Sequence, residues 1–156
     1  MLRSIGEFIS EIAGGGRDQE NFGDSDFRLA AAALLVHVAT SDSAFNEKER
    51  ERLQNILAHR FELGHEEAAR LVDSAVNADL EAVDLYQFTS VLNRAFDEEG
   101  RKRVVEMMFE VAYADGELSE FEDNVVWRAA ELMHVPSRER VTIRRQVRDE
   151  TAGDEN

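Results

Sequence analysis

The 156-residue sequence has no cysteine, only one proline and no long uninterrupted apolar run. Without cysteine the chain forms neither disulfides nor thiolate metal sites, which fits a cytoplasmic protein. A membrane-spanning helix needs about 18 or more consecutive apolar residues, so we expect no transmembrane segment. Basic residues are also scarce: 18 Lys+Arg stand against 33 Asp+Glu, and the formal net charge is -15. Such a charge argues against nucleic-acid binding, which needs cations for the phosphates.

The sequence has the periodicity of α-helices along nearly its whole length. Apolar residues recur at spacings of three and four in nearly every segment, and no segment alternates as a strand would. We therefore predict an all-α, single-domain bundle of seven to eight helices. The predicted helices cover residues 2–12, 27–40, 46–61, 65–77, 84–96, 98–114, 119–133 and 137–150.

Three consecutive glycines at 14–16, followed by polar residues, separate the first predicted helix from the rest of the chain. The predicted organisation is an N-terminal amphipathic helix and Gly-rich linker over 1–24, a helical domain over 25–150 and a frayed tail over 151–156.

The first predicted helix carries its large aliphatic side chains on one side. These are Leu2, Ile5, Ile9 and Ile12. Its polar face is mainly acidic, which suits an anionic lipid surface poorly. We expect this helix to pack on the bundle or on another subunit, and the second arrangement would make the protein a homodimer.

The sequence also contains an internal repeat. A shift of 73 positions pairs residues 38–49 (VATSDSAFNEKE) with residues 111–122 (VAYADGELSEFE). The helices that follow correspond after a slip of one residue. We predict a duplicated helix–turn–helix–helix unit, joined by the helix at 84–96, with the two halves packed around a pseudo-twofold axis.

Much of each repeated turn has a purely structural explanation. Asn46 and Ser119 are typical N-cap residues. Glu49 and Glu122 follow three residues later, where a carboxylate completes a capping box. We favour this interpretation for most of the pattern.

Asp42 and Asp115 fit the capping interpretation poorly. Each lies just past the C-terminus of a predicted buried helix, where the helix dipole disfavours negative charge by about 0.3–1 kcal/mol. Recurrence in both halves suggests a compensating cation at an oxygen-only site, which would suit Ca²⁺, Mg²⁺ or Mn²⁺. Neither turn is an EF-hand, because the twelve-residue loop with its sixth-position Gly is missing. The candidate metal ligands are Asp42, Glu49, Asp115 and Glu122.

With these turns between a buried helix and an amphipathic one, residues 25–148 resemble the TerB-like tellurite-resistance family. The best-matched stretch is Ala-x-x-Asp-Gly-x-Leu-Ser-x-x-Glu at 112–122. The N-terminal domain of the DjlA co-chaperone belongs to the same superfamily. The resemblance implies an all-helical fold with a duplicated unit, a link to tellurite or stress resistance, and a divalent cation at the acidic turns. Ser43 replaces the Gly of the second turn, and a J-domain His-Pro-Asp motif is absent.

Three further features have structural explanations that we favour. His37 lies on an apolar helix and is expected to be a hydrogen-bonded core or rim histidine, with a metal ligand as the alternative. Residues 138–148 carry five arginines, which we expect to form a solvated face that pairs with the acidic surface. The alternative is that they dock phosphate, an anionic membrane or an acidic partner. Trp127, on the apolar 119–133 segment with Phe121, is assigned to packing.

The leading functional hypothesis is a cytoplasmic, non-enzymatic binding module that holds a hard divalent cation or presents its turns to an unidentified protein partner. The alternative is a co-chaperone-like or scaffold domain in which the turns are only helix caps. A metal-dependent hydrolase is a third possibility, for which His37 is the only nearby candidate besides the carboxylates. The sequence has no HExxH, GxSxG or phosphate-binding glycine motif, so we do not expect an enzyme.

Overall fold

The computed structural model describes residues 26–41, 45–114 and 116–154. Over these ranges the chain forms seven α-helices and no strand. The helices are α1 (Phe27–Ala39), α2 (Glu47–Arg60), α3 (His65–Glu81), α4 (Tyr86–Ala95), α5 (Glu98–Ala112), α6 (Glu120–Leu132) and α7 (Ser137–Asp154). The prediction of an all-α bundle is confirmed. The predicted helix at 2–12 lies outside the described residues.

Helix α1 is the centre of the bundle. Eleven of its 13 residues are buried, including four consecutive alanines at 30–33. Their small side chains let neighbouring backbones come close, and α1 packs against five helices, α2 to α6. Despite this apolar core, no helix in the described ranges has the length and hydropathy needed to span a membrane.

Helix α5 is the counterpart of α1 in the second half. It packs against α6 and α7 as α1 packs against α2 and α3. The two halves also exchange contacts in a matched way, because α1 packs against α6 and α5 packs against α2. This is the pattern expected of a pseudo-twofold axis between α1 and α5. Helix α4 joins the halves and packs against α1 and α6.

The repeat extends to the main chain at the ends of α2 and α6. Glu62 and His134 have positive φ angles of 53° and 61°. In each case the next residue donates its N–H to a carbonyl five positions earlier, Leu63 to Ala58 and Val135 to Ala130, both at 2.9 Å. These are Schellman motifs, which usually have glycine at the left-handed position.

Two aromatic residues of α6 are more exposed than the apolar pattern predicts. Phe121 is 56% exposed and Trp127 is 42% exposed, whereas the core side of α6 is formed by Val125, Val126 and Ala129. Phe121 lies in the first turn of α6, at the edge of the core, where it lines a surface groove. The packing assigned to these two rings is therefore only partial.

Gly100 provides a test of core packing. A Cβ at this position would lie 2.7–2.9 Å from the Cδ1, Cβ and Cγ atoms of Phe96. The Phe96 ring packs edge-on against the Phe27 ring, with 5.2 Å between the ring centroids. We expect Gly100→Ala to lower the free energy of unfolding by about 1 kcal/mol, because overpacking of ~1–3 kcal/mol exceeds the gain in helix propensity. Urea denaturation measures the change, with the exposed Glu99→Ala as control. A more stable Gly100→Ala protein would contradict the packing described.

The Schellman motif at the end of α6 predicts a change of opposite sign. We expect His134→Gly to raise the free energy of unfolding by about 0.5–1 kcal/mol, because relief of the left-handed conformation exceeds the added entropy of the unfolded chain. Arg145→Gly, at an exposed position inside α7, should instead lower it by about 1 kcal/mol. Thermal unfolding of both variants checks the two signs.

Candidate acidic-turn site

Two turns at matched positions of the repeat begin α2 and α6 with the same hydrogen bonds. The Asn46 Oδ1 accepts from the Glu49 N–H at 2.8 Å, and the Glu49 Oε1 accepts from the Asn46 N–H at 3.0 Å. In the second turn the Ser119 Oγ accepts from the Glu122 N–H at 3.0 Å, and the Glu122 Oε1 accepts from the Ser119 N–H at 2.9 Å. Both predicted capping boxes are confirmed.

The two capping carboxylates differ in their burial. Glu122 is only 7% exposed, whereas Glu49 is partly exposed. A buried carboxylate needs hydrogen bonds or positive potential to remain charged. Glu122 has the N–H of Ser119 and the positive end of the α6 dipole.

Asp42 and Asp115, the other two predicted ligands, lie outside the described residues. Within the described ranges, no group of three or more His, Asp and Glu side chains is arranged to hold a metal ion. The structure thus locates Glu49 and Glu122 at the starts of equivalent helices. Convergence of all four carboxylates stays a prediction.

Arg52 brings a positive charge from the first half of the molecule to the second turn. Its Nη2 donates to the Ala114 carbonyl at 2.7 Å, just beyond the C-terminus of α5. A cation at this end of a helix stabilises the dipole. The repeat puts Val125 at the position matching Arg52, so the arrangement is not duplicated. This contact could not be foreseen from local patterns, because Arg52 and Ala114 lie 62 positions apart along the chain.

Surface grooves lie beside the turns, at equivalent places in the two halves. The smaller groove, of about 390 Å³, is lined by His37, Thr40, Ser41, Asp79, Phe121, Asn124, Val125 and Arg128. The larger, of about 900 Å³, is lined by Lys48, Glu51, Arg52, Asn55, Ile56, His59, Arg60, Glu110, Val147, Glu150 and Thr151. The 73-residue shift relates His37 to Glu110, Lys48 to Phe121, Glu51 to Asn124, Arg52 to Val125 and Asn55 to Arg128.

His37 is hydrogen-bonded at the rim of the smaller groove, as predicted. Its Nδ1 lies 2.8 Å from the Asp79 Oδ1, so the contact joins α1 to α3. The side chain of Asp79 is 13% exposed and that of His37 is 35% exposed. Asp79 was not foreseen because it lies 42 residues away along the chain.

In the larger groove the corresponding polar contact is an ion-pair cluster. Arg60 Nη2 lies 2.6 Å from Glu110 Oε2 and 2.8 Å from Glu106 Oε1, which joins α2 to α5. Burial alone lowers the pKa of Arg60, but hydrogen bonds and charges from Glu110 and Glu106 outweigh burial and raise this pKa. The cluster crosses between the two halves of the repeat.

The basic residues of α7 meet the acidic start of α6. Arg140 and Arg144 lie 3.9 Å and 3.7 Å from the Asp123 Oδ1. For these two arginines, the predicted pairing with the acidic surface is confirmed. The neighbouring Tyr113 is buried, and burial raises the pKa of its phenol although Arg144 and Arg148 act in the opposite direction.

These features define an all-helical domain built from two copies of one unit, with a capped acidic turn in each copy. The family model of tellurite resistance protein TerB matches residues 28–145. The chain belongs to the TerB tellurite-resistance family. No curated protein and no solved structure gives a significant match.

The Arg60 cluster yields a test of how the halves are held together. We expect Arg60→Leu to lower the free energy of unfolding by about 2 kcal/mol, because Glu106 and Glu110 lose the charged hydrogen-bond donor that they share. Arg138→Leu is the control, since Arg138 is exposed and has no ion pair within the described residues. Equal urea midpoints for the two variants would show that the cluster contributes little.

Proposed function

We propose that this chain is a non-catalytic binding module that holds a hard divalent cation at its acidic turns. The proposal rests on the matched positions of Glu49 and Glu122. In both halves the N-cap N–H binds this carboxylate, and the carboxylate follows an aspartate, Asp42 or Asp115, by seven residues. Membership of the TerB family supports a role in tellurite or related stress resistance.

The chemistry of the turns suits this role. Carboxylates favour Ca²⁺, Mg²⁺ and Mn²⁺ over soft metals. Metal-binding carboxylates are commonly oriented by hydrogen bonds from neighbouring groups. The capping box supplies such a bond to Glu49 and Glu122 while it fixes the start of each helix. The lack of cysteine supports a cytoplasmic location.

A second candidate is a scaffold or co-chaperone-like interaction domain in which the turns serve only as caps. Arg52 favours it, because its contact with the Ala114 carbonyl already brings a cation to the end of α5. Under this alternative, Glu49 and Glu122 serve only to accept the hydrogen bonds of the two capping boxes.

Two double variants separate these functions. In Glu49→Gln/Glu122→Gln, glutamine still fits the capping box, so we expect stability within ~0.5 kcal/mol of the parent and at least tenfold weaker cation binding. In Asn46→Ala/Ser119→Ala the side-chain caps are lost, so we expect the free energy of unfolding to fall by about 1 kcal/mol per cap. All four carboxylates are kept in this variant, and we expect the cation still to bind.

Calorimetric titration of the full chain with Ca²⁺, Mg²⁺ and Mn²⁺ measures binding, and thermal unfolding in each ion gives an independent readout. Asp42→Asn/Asp115→Asn is expected to abolish the heat of binding. If the parent chain gives no heat and no shift in Tm at millimolar metal, the cation proposal is wrong and the interaction domain remains.

A further inference from the structure

A third groove lies between α3 and α4, at the N-terminal end of α1. Both helices pack against α1, but they make at most marginal contact with each other. The resulting space is about 680 Å³ in volume. Leu29 and Ala30 of α1 and Ala78 of α3 line it, together with Phe88 and Val91 of α4.

The lining of this α3–α4 groove resembles a protein interface. Its deepest side chains are apolar, whereas Glu81, Gln87 and Arg94 at its edges are exposed. Association surfaces commonly combine an apolar centre with a polar rim. Tyr86 also lines the groove and is 63% exposed. Tyrosine is one of the residues enriched in association surfaces.

The chain itself has a segment suited to this groove. Residues 2–12 have the helical pattern already described, with Ile5, Ile9 and Ile12 on one side and acidic residues on the other. An isolated helix shorter than about 12–15 residues is marginal in water, so this segment needs a surface on which to fold. Its length as a helix would be about 16 Å.

The groove lies at the end of α1 to which the N-terminal segment is joined. Leu29 and Ala30 are the third and fourth residues of α1, so the groove lies within two or three residues of the start of this helix. The residues at 13–26 span at most about 50 Å when extended, at ~3.6 Å each. A tether of this kind gives an effective concentration of roughly millimolar, which favours the chain's own segment over a second copy.

We propose that residues 2–12 dock as an amphipathic helix in the α3–α4 groove. Ile5, Ile9 and Ile12 cover the apolar floor, and Glu7 and Glu11 face solvent. This contact closes the gap between α3 and α4 and adds an eighth helix to the bundle. It is independent of any cation at the acidic turns.

The absence of cysteine makes a direct test simple, since two introduced thiols are the only ones present. In the full chain, Ile9→Cys/Val91→Cys joins the apolar side of the segment to the groove. Glu7→Cys/Val91→Cys is the matched control on the opposite side, and Ile9→Cys/Arg145→Cys is a control on α7. Each is treated with a short bismaleimide, and intramolecular cross-linking is followed by mass spectrometry.

We expect the Ile9/Val91 pair to cross-link at least tenfold faster than either control. Equal rates for the three pairs would overturn the proposal, and so would covalent dimers as the main product, which would identify a second copy as the occupant. Circular dichroism confirms that each variant is folded. As a second readout, Ile5→Glu/Ile9→Glu in the full chain should raise the fluorescence of an apolar dye at least twofold, and unchanged fluorescence would contradict docking.

Discussion

The burial of two apolar helices against each other is the constraint on which the rest of the structure depends. Helix α1 packs against five others, and its alanine run at 30–33 is fully enclosed. Its partner across the pseudo-twofold axis, α5, buries Val104, Val105, Met108 and Phe109. Close packing of this kind leaves little tolerance for added volume. The acidic turns begin where α1 and α5 end, so the packing of these two helices sets where both turns lie.

The duplicated unit has kept its backbone features and changed its polar contacts. Both halves have a capping box at the start of the second helix and a Schellman motif at its end. The matched positions His37 and Glu110, by contrast, have different partners, Asp79 within the first half and Arg60 across the axis. Backbone capping satisfies N–H and C=O groups that every helix end exposes. No comparable requirement fixes the side-chain pair between two packed helices, so the two halves can have different pairs at matched positions.

The sequence predicts the features that depend on local pattern. All seven helices, both capping boxes and the repeat follow from spacing and from residue types near each helix end. Contacts between distant residues could not be predicted in this way. Arg52 reaches the Ala114 carbonyl across 62 positions, and His37 meets Asp79 across 42. Phe121 has the spacing of a core residue, but it is 56% exposed and lines a groove together with Thr40 and Ser41 at the end of α1.

Ion pairs join acidic side chains of the bundle to basic residues of neighbouring helices. Arg140 and Arg144 of α7 face Asp123 at the start of α6. Arg60 similarly lies between Glu106 and Glu110, where like charges would otherwise repel each other one helical turn apart. The two acidic turns also differ in the cations near them. At the second turn Arg52 donates to the Ala114 carbonyl. At the first turn the residue in the matching position is Val125, which has no charge. Because a cation bound at the second turn would share its surroundings with a guanidinium, the two turns are expected to differ in cation affinity even though their capping hydrogen bonds are the same.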